Sequence, residues 1–73
     1  MISKYAVVFE KSRTGYGAHV PDLPGCVAAA GTLPEAEALI RDAIELHLDG
    51  LKEDGSDIPV PTTVAEMIEV TAA

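Results

Sequence analysis

The sequence predicts an α+β fold, a small antiparallel sheet with one amphipathic helix in the order β-β-β-α-β. Three patterns predict it. Residues 4–31 alternate with the period of strands, residues 32–53 repeat with the period of a helix, and a short β-branched run closes the chain after an extended proline segment. At 73 residues the chain makes one domain, 1–73. A domain of that size buries only about 60% of its unfolded surface, so self-association or a partner helps to stabilise it.

Lys4-Tyr5-Ala6-Val7-Val8-Phe9-Glu10 is rich in β-branched and aromatic residues and reads as the first strand, with Tyr5, Val7 and Phe9 on one face. Ser12-Arg13-Thr14-Gly15 reads as a turn, after which Tyr16, Ala18 and Val20 resume the alternation, giving an antiparallel hairpin. Pro21-Asp22-Leu23-Pro24-Gly25-Cys26 is the corner of the fold. Pro24-Gly25 suits the central positions of a type II turn, and Pro21 suits a strand end because it cannot donate to a ladder. Such a corner is expected to expose Asp22 and Leu23. Cys26 to Gly31 is short and small-sided, and its place after a hairpin favours a third strand over a helix.

Thr32-Leu33-Pro34-Glu35 is a capping box with proline in the first turn, where a missing donor costs little. From there Ala36, Ile40, Ala43, Ile44, His47 and Leu51 share one helix face, and Glu35, Asp42, Glu45, Asp49 and Glu53 the opposite one. Gly50 weakens the helix by about 1 kcal/mol relative to alanine, and Gly55 is the expected stop. Asp57-Ile58-Pro59-Val60-Pro61 must be extended. Thr62 or Thr63 suits the cap of a short turn, and Met67-Ile68-Glu69-Val70-Thr71 is expected as a last strand. With one helix, one sheet face stays open, presenting Ala6, Val8 and His19 to a second copy or another protein.

Charge narrows the function classes. The net charge of −7 argues against direct nucleic-acid binding, in which Lys and Arg neutralise phosphate. Residues 1–34 carry a net +1 and residues 35–73 a net −8, so the second half suits a basic partner. A single cysteine, Cys26, excludes an internal disulfide, and neither a membrane span nor a signal peptide is legible, which makes a cytoplasmic location the expectation.

The inventory for chemistry is close to empty. His19, His47 and Cys26 stand on a strand, a helix and a corner without metal-ligand spacing. His47 reads as a histidine at the core edge, His19 as a surface or interface residue, and Cys26 as a small buried hydrophobe. The helix acids form a solvated stripe. A two-metal nuclease needs carboxylates converging from several elements, and the first strand offers Glu10 only at its end. No glycine-rich phosphate loop is present. The reading is a non-enzymatic protein with no catalytic residues, no metal and no cofactor.

The run Tyr16-Gly-Ala-His-Val-Pro-Asp-Leu-Pro-Gly-Cys26, followed by Gly31-Thr-Leu-Pro-Glu-Ala-Glu37, Ala43-Ile-Glu-Leu-His-Leu-Asp-Gly-Leu51 and Asp54-Gly-Ser-Asp-Ile-Pro-Val-Pro61, resembles the HicB family of type II antitoxins over nearly the whole chain. The resemblance implies a truncated RNase H-like fold without the nuclease's catalytic acids. It also implies a protein partner, the small basic mRNA interferase HicA, whose active surface the antitoxin occludes. Many family members continue into a DNA-binding domain that represses their operon. The present sequence stops at Ala72-Ala73, so no C-terminal DNA-binding domain and no autorepression by this chain alone are expected. The candidate partner-binding residues are Asp22 and Leu23 at the corner, Tyr16 leading to it, and Asp42, Glu45 and Asp49 on the acidic edge of the helix. A homodimer or higher oligomer is expected. The alternative is a solitary oligomeric HicB-like scaffold or regulator without a toxin, and a residual nuclease is a third reading, one that demands metal-dependent RNA cleavage.

Overall fold

A computed structural model describes residues 3–72. Three strands, β1 (Val8–Lys11), β2 (Tyr16–His19) and β3 (Val27–Ala30), form one antiparallel sheet in the order β1-β2-β3, followed by the helix α1 (Leu33–Glu53). The expected α+β class holds. The hairpin pairs Val8 with His19 and Lys11 with Tyr16, leaving Ser12–Gly15 as its four-residue loop. That loop closes through the Ser12 amide on the Gly15 carbonyl at 2.8 Å. Gly15 is required by close approach, since a Cβ there would collide with the Ala30 carbonyl oxygen.

β1 begins four residues later than its composition suggests. In the register of the hairpin the position opposite Ala6 is Pro21, which has no N–H, and the Val20 amide is already spent on the Cys26 carbonyl at 3.2 Å. Tyr5, Val7 and Phe9 nevertheless pack against the core, on the face expected for them. Pairing alone is lost.

The N-cap half of the capping box forms, while the Glu35 side chain reaches back to the Thr32 hydroxyl rather than to its backbone N–H. Thr32 is the N-cap, its hydroxyl oxygen accepting from the Glu35 amide at 3.3 Å and its hydroxyl donating to Glu35 Oε1 at 2.8 Å. At the other end Gly55, with φ +72°, follows the C-cap Asp54. The Gly55 amide reaches the Lys52 carbonyl and the Ser56 amide the Leu51 carbonyl, the paired bonds of a Schellman motif.

The core lies between the helix and one sheet face. Ala18, Val20, Leu23, Cys26 and Ile40 are buried together, with Tyr5, Val7, Phe9, Ala28, Ala43, Ile44 and Leu48 packed around them, and Ala36 is fully buried as well. The opposite face carries Val8 beside His19 beside Val27, and Val27 and His19 are exposed there. α1 crosses β3 and β2 rather than β1.

One expected element does not form. Met67–Thr71, read as a last strand, belongs to no sheet, and the chain from Thr62 to Ala72 is exposed throughout. β-branched composition favours a pleated, half-buried surface, but it supplies no edge to pair with, and this stretch meets none within the chain.

Candidate partner-binding surface

The corner between β2 and β3 is built from two consecutive turns. The Leu23 amide donates to the Val20 carbonyl at 3.0 Å, and the Cys26 amide to the Leu23 carbonyl at 3.0 Å. Gly25 has φ +86°, the value a type II turn demands at the position after Pro24. The chain therefore reverses twice within seven residues, and the second reversal drives Leu23 inward.

This corrects the expectation for Leu23, which is completely buried rather than exposed. The two turns aim its side chain under the sheet, where it meets Val20, Cys26 and Ile40. Burying a leucine contributes about 1.5–3 kcal/mol, a large return for a chain with so few core residues. Leu23 is an anchor of the corner.

Asp22 is half-buried rather than fully exposed, and it is not a free carboxylate. One oxygen accepts from the backbone amides of Thr62 and Thr63, both at 2.9 Å, and the other from the hydroxyls of Thr63 at 2.8 Å and Thr62 at 3.2 Å. The backbone amide of Thr63, then that of Thr62, then the Thr63 hydroxyl stabilise the charged form, and with the Thr62 hydroxyl they hold the Asp22 carboxyl down at about 2. Asp22 thus fastens the chain after the helix to the corner. A second tie lies nearby, where the Tyr5 hydroxyl donates to the Pro59 carbonyl at 2.6 Å.

The remaining candidates do not converge on this corner. Tyr16, half-buried, sits at the far end of β2, opposite Lys11 and Ala30. Asp42, Glu45 and Asp49 lie exposed on the outer face of α1, as their spacing requires. Two apolar residues accompany them. Leu39 and Leu46, 47% and 75% exposed, are seven residues apart and border the acidic stripe. Helical spacing from Asp42 and Asp49 sets both leucines on the acidic side of α1, and the sheet, lying under the opposite face, leaves them exposed. Thr62 and Thr63 were illegible as partners of Asp22, which stands some forty residues away in sequence.

Cys26 is buried, and burial raises its thiol pKa, which keeps the thiol protonated and unreactive. His47 is half-buried on the inner side of α1, whereas His19 is exposed with Nδ1 3.9 Å from Glu10 Oε1. Among the described residues no three His, Cys, Asp or Glu side chains gather into a metal-holding group, and no helix is long and apolar enough to cross a membrane. The surface presents an acidic helix face with apolar inserts, an open sheet face, and an exposed apolar segment.

The architecture on which these surfaces sit is an acidic helix laid over a small antiparallel sheet. The model of the HicB_like antitoxin family of bacterial toxin–antitoxin systems matches residues 5–72, and the chain belongs to that family. It is 37% identical over 71 residues to antitoxin HicB 2 of Photorhabdus laumondii, a match covering 96% of this chain and 51% of that protein. An uncharacterized 14.9 kDa protein from the rep-hol intergenic region of Haemophilus phage HP1 is 38% identical over 64 residues, covering 88% of this chain and 48% of the phage protein. The chain thus spans about half the length of these two curated relatives. A UPF0150 protein of Archaeoglobus fulgidus, 45% identical over 60 residues, is matched over 78% of this chain and 87% of its own length. Among solved structures, a chain of the HicA3 and HicB3 toxin–antitoxin complex superposes with a TM-score of 0.70 at 25% identity, covering 82% of this chain and 70% of the other.

Proposed function

We propose that this chain is the toxin-binding domain of an antitoxin, which captures a small basic HicA-type mRNA interferase and occludes its active surface without performing catalysis itself. The observation that carries the reading is the likeness to a chain of a HicA3–HicB3 complex over most of the fold. The charge distribution supports it, since residues 35–73 carry a net −8, and Asp42, Glu45 and Asp49 lie exposed on α1. Leu39 and Leu46 beside those acids supply apolar area that electrostatic steering alone lacks. Asp22 and Leu23 serve this surface by holding the corner, and Tyr16 stands apart from it.

The same reading takes the sheet and helix as a truncated RNase H-like unit that works in the cytoplasm. The open sheet face and the exposed segment after the helix favour a homo-oligomer.

Co-expression with the toxin-like reading frame beside the gene tests the proposal. Rescue of growth and co-purification of a stoichiometric complex are expected. Asp42→Lys combined with Asp49→Lys is expected to weaken capture at least about tenfold and to steepen its loss with salt. Absence of both association and rescue overturns the proposal in favour of a solitary regulator.

A further inference from the structure

Two incomplete features of the molecule match each other. The first is a groove of about 500 Å³ beside β1, left because α1 crosses β3 and β2; Tyr5, Val7, Phe9, Ile40, Ile44 and Leu48 form its apolar lining, and Glu37, Arg41 and Glu45 of α1 also line it. β1 is also an edge strand, so its outer backbone groups have no partner in the sheet. The second is the segment after Pro61. Val64, Met67, Ile68 and Val70 are 73–99% exposed there, in an extended β-branched stretch that pairs with nothing.

We infer that residues 64–70 of one copy add to the free edge of β1 in a second copy as its fourth strand, filling the groove, and that the exchange is reciprocal.

Period-two alternation puts Val64, Ile68 and Val70 on the same side of an extended chain. In an antiparallel register that sets Val70 opposite Val7 and Ile68 opposite Phe9, both apolar pairs face the groove, and Glu66 falls opposite Lys11. The charges agree more widely. Residues 4–11 carry Lys4 and Lys11 against Glu10, while residues 64–70 carry Glu66 and Glu69 and no cation. Like charges do not meet along the paired strands in this register, and the groove lining contributed by α1 sets Arg41 one turn from both Glu37 and Glu45.

The geometry favours exchange over folding back. Pro59 is tied to Tyr5, at the start of the first β segment, and Thr62 and Thr63 are tied to Asp22 at the β2–β3 corner. In the hairpin register Asp22 stands opposite Tyr5, so both ties lie at the end of the sheet where β1 begins, and the chain between them passes from the β1 side toward the β2–β3 corner. A return to its own β1 edge needs a sharp reversal after Thr63, and residues 62–72 contain no Gly, Pro, Asn, Asp or Ser to make one. A second copy related by a twofold axis needs no reversal, and each tail meets the other's edge.

Sedimentation of the full chain across micromolar concentrations is expected to show a dimer. Ile68→Asp, which lies outside the packed body, is expected to keep the helix signal in circular dichroism and to raise the dimer dissociation constant at least about a hundredfold, because the change acts twice per dimer. Lys11→Glu and Glu66→Lys are each expected to weaken self-association about threefold to tenfold, and a mixture of the two to recover it, since the mixed dimer restores both contacts. A monomer at all concentrations, a dimer indifferent to Ile68→Asp, or a mixture no tighter than its components overturns the inference. The inference rests on the self-association part of the proposed function and not on toxin capture. Toxin capture by monomeric Ile68→Asp protein leaves both readings standing, whereas failed capture by a dimer that responds as expected removes the toxin reading alone.

Discussion

The corner at residues 20–26 and the segment at residues 62–72 are both apolar stretches interrupted by polar residues, and their fates are opposite. Leu23 is completely buried, while Met67 is 99% exposed. The corner lies between two strands whose register is already set, so its two turns have one direction in which to aim a leucine. The later segment leaves the body at a single fastening, Asp22, with no adjacent edge to define its register. Hydrophobicity supplies the drive toward burial in both places; a neighbouring element decides whether the drive is met within the chain.

The largest effect expected to sharpen that contrast is at Leu23. Leu23→Ala should destabilise the body by about 3 kcal/mol, read as a lower urea midpoint, while Met67→Ala should move it by less than about 0.5 kcal/mol. Equal losses at the two sites would erase the distinction. Next is Gly15→Ala, which forces a Cβ into the Ala30 carbonyl and should cost about 1–3 kcal/mol by pushing the hairpin loop away from β3. Thr32→Ala removes the helix cap, and a loss of about 1 kcal/mol is expected, with fraying of the first turn visible in amide exchange at Glu35.

The smallest effect is local and depends on pH. Because folding holds the Asp22 carboxyl at about 2, below its ordinary 3.8, the ionised form is the one that fastens Thr62 and Thr63. Its contribution is fully present above about pH 4 and is lost as pH falls through about 2. Amide exchange at Thr62 and Thr63 should accordingly accelerate on acidification in that window, and Asp22→Asn should show the fast exchange already at neutral pH. Unchanged protection in the variant would mean that the segment is held by something other than this carboxylate.

Legibility followed the range of the interaction. The capping box at Thr32, the Pro24-Gly25 turn, the Gly55 stop and the hairpin were all readable, because each is a bond between residues within a few positions of one another. The acidic face of α1 was readable for a related reason: a helical period assigns faces before any partner is present. Leu23 was misread, since turn residues on both sides signalled a surface loop and only the sheet beneath shows where the side chain goes. The candidate surface was partly legible. The helical period marks its acids and sets Leu39 and Leu46 beside them, but how much of each leucine stays exposed depends on where the sheet ends.

By itself the sequence determined the hairpin, the helix and its ends, the acidic second half, the lack of a legible catalytic motif and the resemblance to an antitoxin family. These are consequences of local bonding, composition and periodicity. Only the tertiary structure decided that Leu23 is core, that Asp22 is a fastening across forty residues, that α1 leaves a groove beside β1, and that Met67–Thr71 finds no edge in its own chain. Each of those depends on which distant surfaces are brought together, and residue identity along the chain does not encode that placement one position at a time.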